Sequence, residues 1–171
     1  MDPVANIKSS LNYAINNVMK VLDKAITSIP DDKLDFKPQA EGKLNTLKYI
    51  AYHVYRLSFI YTKATINGNF NADTDFKGFE LDLKSIKSSR EIVEYGKKVK
   101  NYIIDKMDSI SSEMLETQVK YKMKALGWGE WEITGFSSMA TILEEAIHHR
   151  GQICIYLRIL GIDPPFIYDF T

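Results

Sequence analysis

The 171-residue chain has a single cysteine, Cys154, and no excess of charge, because Lys and Arg together number 22 and so do Asp and Glu. One cysteine excludes an internal disulfide and a zinc site built from several thiolates. The charge balance excludes a broad basic field of the kind that draws a protein to nucleic acid or to an anionic membrane. We therefore expect neither nucleic acid nor a membrane among the partners.

Long apolar runs are missing too. No stretch approaches the roughly 18 consecutive apolar residues of a membrane span. The first residues, Met1-Asp2-Pro3-Val4, lack the basic and apolar regions of a signal peptide, so we expect a soluble protein of the cytoplasm. Because hydrophobic residues make up 45% of the chain, it can bury a sizeable core, and we expect one domain over residues 1–171.

What the chain does contain is helical periodicity, with apolar residues at three- and four-residue steps in four long segments. Asp2 and Pro3 are typical of a helix start, and Ser88 and Glu91 have the spacing of a capping box. The predicted helices cover about residues 3–27, from Asn45 or Thr46 to about 67, about 88–110, and from Ser137 or Ser138 to Gly161.

The connections between these segments are long. Residues 117–123 alternate in polarity, which predicts a short strand or extended segment before the last helix. The loop that follows, Gly127-Trp128-Gly129-Glu130-Trp131, either lines a pocket with its tryptophans or covers the end of the bundle, and covering is the favoured interpretation. Four long helices without a run of strands predict an all-α four-helix bundle, and the long connections permit crossovers.

The last helix carries the residues with chemical potential. Glu145 and His149 are four residues apart, so their side chains lie one above the other near the inward face. Burying them is costly unless a metal, a partner or a water-filled cleft satisfies them. A catalytic divalent-metal site takes three protein ligands, and His53, at the edge of the apolar stripe of the second helix, is the candidate for the third. An ordinary Glu–His pair and a partly buried histidine explain the same residues, so both interpretations stay open.

Two stretches resemble a known family. The run His149-Arg150-Gly151-Gln152-Ile153, followed by Tyr156-Leu157-Arg158 and by Gly161-Ile162-Asp163-Pro164-Pro165, is similar to the last helix of the DinB/YfiT-like family. The run Ile50-Ala51-Tyr52-His53-Val54 resembles the part of that family's second helix that supplies a metal ligand. The resemblance implies a four-helix bundle of up-down-down-up topology that is often a homodimer. It also implies a site for Zn or Ni, commonly formed by three histidines.

Carried over position by position, the resemblance makes His53, Glu145 and His149 the metal ligands. Glu145 stands where the common pattern has histidine. A set of two imidazoles and one carboxylate accepts Zn or Ni, and also Fe or Mn, while the departure leaves open a site that no longer holds metal. His148 points about 100° away around the helix and is expected to lie outside the ligand set.

Characterised relatives include thiol transferases and isomerases that use low-molecular-weight thiols such as bacillithiol or mycothiol. The implied function is a metal-dependent S-transferase that activates a thiol or water for a small-molecule substrate, with a hydrolase as the less favoured class. The alternative is a non-catalytic dimeric or ligand-binding bundle with a vestigial metal site. Arg150 and Gln152 are expected to cap or pair helices. Tyr52 and Arg56 either contact an anionic substrate or have ordinary surface roles.

Overall fold

The computed structural model describes residues 3–169, and the side chains from Lys8 onward. Within these residues five helices and three strands alternate with short 3-10 turns. They are α1 (Pro3–Thr27), α2 (Leu47–Asn67), β1 (Asn69–Asn71), α3 (Ser89–Met107), α4 (Ser112–Glu116), β2 (Gln118–Lys122), β3 (Glu130–Thr134) and α5 (Gly135–Ile159). Asp2, the predicted cap of α1, lies outside the described residues. No helix in the described part of the chain is both long and apolar enough to cross a membrane.

The four long helices form a bundle in which α1 and α2 each pack against both α3 and α5. Helices α1 and α3 are antiparallel, because Lys8 near the start of α1 donates to the carbonyl oxygen of Ile110 just beyond the end of α3 (2.7 Å). Helices α2 and α3 are parallel, because Tyr52 contacts Tyr95 in the N-terminal part of both helices and Phe59 contacts Tyr102 further along both. This parallel arrangement is the one that an up-down-down-up topology requires of the second and third long helices.

Helix α5 runs opposite to α2 and in the same direction as α1. The Ser138 hydroxyl, at the start of α5, donates to the carbonyl oxygen of Tyr61 near the end of α2 (3.2 Å). Lys24, near the end of α1, forms an ion pair with Asp169, which follows α5 (2.7 Å). The four directions together are up-down-down-up, so the predicted fold class is confirmed.

Two of the predicted helix starts follow from their caps. The Thr46 hydroxyl accepts a hydrogen bond from the backbone N–H of Tyr49 and caps α2. Ser88 and Glu91 form the predicted capping box of α3. Helix α3 ends at Met107 and not near Ile110, because the backbone N–H groups after Met107 bond three residues back and tighten the last turn.

The predicted cap of α5 at Ser137 or Ser138 is wrong by three or four residues. The cap is Thr134, whose hydroxyl accepts from the backbone N–H of Ser137 (3.2 Å), and Gly135 is the first helical residue. Gly135 starts the helix against α4, where a Cβ would lie 2.0 Å from the carbonyl oxygen of Met114. Only glycine permits this approach, and Ser138 is instead fully buried.

A three-stranded sheet lies beside the bundle in the order β1-β2-β3, with β2 parallel to β1 and antiparallel to β3. Strand β2 confirms the predicted extended segment at 117–123, whereas β1 and β3 were not predicted. The hairpin formed by β2 and β3 runs along α2 from its C-terminal end toward its N-terminal end. The backbone N–H of Lys120 donates to the carbonyl oxygen of Gly68, Tyr121 contacts Tyr61, and Trp128 in the hairpin loop contacts His53. The sheet thereby places an aromatic loop near the start of α2.

A close approach between α2 and α3 sets the interior of the bundle. Tyr55 of α2 is fully buried, and a Cβ on Gly96 of α3 would lie 2.4 Å from the Tyr55 ring. Gly96 therefore weakens the helix locally but makes room for the tyrosine. The Tyr55 hydroxyl donates to Asp23 of α1, and Lys100 of α3 forms an ion pair with the same carboxylate. This cluster ties α1, α2 and α3 together.

Candidate metal centre

Helices α2 and α5 bring together the three residues that the sequence singles out. His53 lies in the second turn of α2, and Glu145 and His149 lie one turn apart near the middle of α5. Because the two helices are antiparallel neighbours, one potential ligand atom of each side chain lies within 4.8 Å of the other two. Within the described residues no other group of three or more His, Cys, Asp or Glu side chains comes this close.

The carboxylate of Glu145 lies between the two imidazoles. Its Oε2 is 3.1 Å from Nε2 of His149 and 4.0 Å from Nε2 of His53. The two imidazole rings are 5.2 Å apart, centroid to centroid, and nearly perpendicular at 87°. The three side chains are only 12–28% exposed. Two nitrogens and a carboxylate oxygen therefore face one partly buried point, which is a donor set that a divalent ion accepts.

The charge states of two of these residues suit metal binding. Burial, and then the neighbouring His149, lowers the pKa of His53 from its usual 6.5 to about 4. The hydrogen bond from His149 lowers the pKa of Glu145 despite the opposing effect of burial. At neutral pH His53 is therefore a neutral imidazole and Glu145 a carboxylate, which are the forms that coordinate metals.

Gln152 orients the imidazole of His149. Its Oε1 lies 2.6 Å from Nδ1 of His149, one turn further along α5. An amide oxygen accepts, so this contact keeps a proton on Nδ1, and Nε2, which faces Glu145, is the nitrogen that a bound metal would take in place of its hydrogen bond to that carboxylate. Gln152 was predicted to cap or pair helices, and the structure places it at the site on the same helix as His149. Its spacing of three residues from a candidate ligand is the signal that points to this position.

Two aromatic side chains enclose His53. Tyr49, one turn earlier on α2, stacks on its ring at 5.4 Å and 18°, and Trp128 meets it edge-on at 5.5 Å and 85°. Trp128 is 39% exposed and contacts His53, so it lies against the candidate site and does more than cover the bundle end. Trp131 stacks on Tyr121 within the sheet (5.1 Å, 8°). The favoured prediction, that the tryptophans simply cover the end of the bundle, therefore describes neither ring.

The remaining residues of interest lie around this group. His148 is exposed on α5 with its ring 4.8 Å from that of His149, and it is not part of the three-residue group. The Arg150 guanidinium donates to the carbonyl oxygen of Ile167 (3.5 Å), which ties α5 to the segment after it. Arg56, one turn beyond His53, packs over Phe76 in the connection between β1 and α3.

An antiparallel helix pair with a His–Glu–His group inside an up-down-down-up bundle defines a class of helical bundles that can hold a metal ion. The chain belongs to the DinB family, whose sequence profile matches residues 6–171. Among solved structures, it is similar to the crystal structure of a DinB-like protein, YjoA, from Bacillus subtilis, with a TM-score of 0.66 and 19% identity over 92% of this chain and 96% of that one. At this level of identity the similarity concerns the fold. No curated protein matches the chain.

Proposed function

We propose that the chain is a divalent-metal-dependent enzyme with His53, Glu145 and His149 as its metal ligands. The observation that carries the proposal is the convergence of three potential ligand atoms from two helices within 4.8 Å. Zn or Ni is the favoured ion and Fe or Mn the alternative, since two imidazoles and a carboxylate accept all four. The family profile over residues 6–171 supports one catalytic domain, which we place in the cytoplasm.

The proposed reaction is a thiol-dependent S-transfer to a small molecule. A bound ion would supply Lewis-acid activation, which lowers the pKa of a thiol or a water molecule. The protein's own contribution is to hold the donors ready. Gln152 keeps the lone pair of His149 on Nε2, and Tyr49 and Trp128 restrict the ring of His53 and keep water from two of its sides. The reaction class rests on the family, whose characterised members include transferases that use low-molecular-weight thiols.

Elemental analysis of protein purified without chelators or a His-tag tests the metal site. We expect about one Zn, Ni, Fe or Mn per chain in the wild type, because a site of three ligands binds one ion. Glu145→Ala and His149→Ala should each lose it. His148→Ala is the matched control, since it removes an exposed neighbouring histidine outside the group.

The same experiment separates the alternative, a non-catalytic bundle with a vestigial site. Wild-type protein without bound metal, and without a rise in melting temperature on adding divalent ions, would favour that alternative. Bound metal would justify a screen of thiol-transfer substrates with the ion found. In that screen, transfer activity should disappear in His149→Ala and persist in His148→Ala.

We further propose that the protein is a homodimer that associates through α5. Ile147, Ile155 and Ile159 are 45%, 56% and 56% exposed, and with Gly151 they follow one another at four-residue steps along the outer face of this helix. Such a row of exposed apolar side chains is typical of a helix that packs against a partner. Sedimentation of Ile155→Glu as a monomer, beside a dimeric wild type, would support this assignment. A monomeric wild type would contradict it.

A further inference from the structure

Arg56 of α2 has hydrogen-bond donors that the rest of the protein leaves unused. Its guanidinium forms no hydrogen bond and no ion pair with any residue that the structure describes, and its Nε is closed off from solvent. A guanidinium nitrogen that is buried without an acceptor loses its solvation without compensation. The other two nitrogens, Nη1 and Nη2, remain accessible, so a ligand can reach the outer edge of the planar group.

Two aromatic rings hold the Arg56 guanidinium in place. Its central carbon is 4.5 Å from the ring centroid of Phe76 and 5.7 Å from that of Tyr52. Contacts of this kind attract the cation to the ring faces, and they leave its N–H groups free to donate in the plane of the group. The outer edge of the guanidinium is therefore oriented for a planar acceptor such as a carboxylate before any ligand arrives.

Tyr52, one turn before Arg56 on α2, supplies a second unused donor. Only 6% of this residue is exposed. Its hydroxyl forms no hydrogen bond within the part of the chain that the structure describes, and it is not closed off from solvent. Burial raises the pKa of Tyr52 above its usual 10, so the hydroxyl keeps its proton at neutral pH. Residues four apart lie on one helix face, which places this donor on the same side of α2 as Arg56.

A cavity of about 260 Å³ opens beside these two donors, between α2 and the connection from β1 to α3. Its lining residues are Tyr52, Arg56, Phe76, Glu80, Leu81 and Asp82. The volume is below the roughly 300–1,000 Å³ of pockets that enclose a drug-sized ligand, so the cavity suits a smaller molecule. None of the three candidate metal ligands lines it, and it is a different site from the candidate metal centre.

The charges around the cavity select among small ligands. Glu80 and Asp82 are exposed, and neither forms an ion pair with Arg56. The Asp82 carboxylate instead accepts from the backbone N–H of Lys84 (3.0 Å). Two negative charges and one positive charge repel a polyanion and weaken the binding of a simple carboxylate. A carboxylate with an adjacent ammonium meets both signs of charge.

We propose that this cavity is a second ligand site, which binds a small apolar α-amino acid independently of the metal centre. Its carboxylate accepts from Arg56 and from the Tyr52 hydroxyl, and its ammonium lies beside Glu80 and Asp82. Its apolar side chain packs against the rings and Leu81 that line the cavity. A ligand held in this way joins α2 to the connection between β1 and α3, so binding stabilises that connection. The inference goes beyond the proposed function and needs no metal ion.

Three probes that differ only in their charged groups test this assignment. They are L-valine, isobutylamine, which is valine without its carboxylate, and isovalerate, which is valine without its ammonium. Calorimetry measures the binding of each probe to the full chain as purified and after treatment with chelator. We expect L-valine to bind roughly tenfold or more tighter than either fragment, because each fragment loses one charged contact. The affinity for L-valine should be the same with and without chelator.

Variants assign the effect to named residues. Arg56→Met keeps an apolar stem against Phe76 and should weaken L-valine roughly tenfold or more without weakening isobutylamine. Tyr52→Phe removes only the hydroxyl and should weaken L-valine about fivefold. The double variant Glu80→Gln with Asp82→Asn should weaken L-valine and isobutylamine and strengthen isovalerate, because its carboxylate is no longer repelled. Arg158→Met, at an exposed arginine of α5, is the matched control and should bind L-valine as the wild type does.

The outcomes separate this inference from the proposed function. His149→Ala, which should lose the metal, should still bind L-valine as the wild type does, and a loss of binding there would overturn the independence of the two sites. If Arg56→Met leaves the ratio of L-valine to isobutylamine affinity unchanged, Arg56 is a packing residue and the inference is wrong. Failure of the wild type to bind L-valine, or equal affinity for all three probes, would also overturn it, whatever the metal content.

Discussion

Two clusters of polar side chains lie inside this bundle, and they differ in whether their groups could also bind a cation. The first cluster joins α1, α2 and α3. In it, the Asp23 carboxylate accepts a hydrogen bond from the Tyr55 hydroxyl and forms an ion pair with Lys100. In the second, between α2 and α5, one carboxylate of Glu145 faces the Nε2 atoms of two imidazoles.

The difference lies in the types of group that each cluster combines. A hydroxyl, an ammonium and a carboxylate supply matched donors and acceptors, so the first cluster is complete without a ligand. Two imidazoles and a carboxylate can bring several lone pairs to one point, where a cation or a proton has to lie between them. Burial of polar groups alone therefore does not mark a functional site. An excess of lone pairs at one point does.

The largest expected effect comes from breaking the satisfied cluster. Asp23→Ala should lower the free energy of unfolding by about 3 kcal/mol, because it leaves the buried Tyr55 hydroxyl and the Lys100 ammonium without their acceptor. Chemical denaturation measures this loss. Metal content per folded chain should be unchanged, and a loss of metal in Asp23→Ala would show that the two clusters are not independent.

The second effect is a pH dependence of stability in the metal-free protein. The pKa of His53 is about 4 in the folded chain, against about 6.5 when unfolded. Between these values the unfolded state holds a proton that the folded state lacks, so stability should fall as pH drops through this window, by on the order of 2–3 kcal/mol. Above pH 6.5 and below pH 4 this contribution should no longer vary with pH.

Denaturation curves between pH 4 and pH 7, recorded with chelator, measure that slope. The pKa of Glu145 is lowered from its usual 4.5 in the folded chain. The stability that ionised Glu145 contributes is therefore lost only as pH falls below 4.5 and through the lower pKa of the folded chain. Most of that loss lies below the pH range in which His53 acts. His53→Gln should flatten the curve, and His148→Gln, at an exposed position, should not. A slope that survives in His53→Gln would assign it to another group.

The smallest effect concerns the orientation of one ligand. Gln152→Ala should weaken metal affinity about 10- to 100-fold with little change in stability, because His149 loses the acceptor that keeps its lone pair on Nε2. Gln152→Glu offers the same acceptor and should restore the affinity. Competition with a chromophoric chelator measures both variants. Equal metal affinities in wild type and Gln152→Ala would show that Gln152 does not orient His149 for metal binding.

Local sequence signals predicted the helix starts best where the sequence contains a capping residue. Thr46 and the Ser88–Glu91 box mark the starts of α2 and α3 because their side chains bond to backbone groups three residues away. The start of α5 was misplaced because Thr134 belongs both to a strand and to a cap, and its role depends on the packing of Gly135 against α4. Strands β1 and β3 were missed since each is short and depends on pairing with β2.

The candidate ligands were predictable in identity, and metal binding by them stays a prediction. The four-residue step from Glu145 to His149 places both on one helix face by geometry alone. His53 was a candidate third ligand because it lies at the edge of the apolar stripe of the second helix, and the resemblance of two stretches to a family added to that prediction. Trp128 could not be assigned to the site, because 75 residues of chain separate it from His53 and only the β2–β3 hairpin brings it there.

By itself the sequence determined the periodicity of four helices, two of their caps and the face that carries Glu145 and His149, since each of these depends on residues within one or two turns. The tertiary structure alone decided which helices are neighbours, that the imidazole of His53 meets the other two ligands, and that Trp128 contacts His53. Those features depend on where distant segments pack, and packing is settled by the burial of the whole core and not by any local pattern.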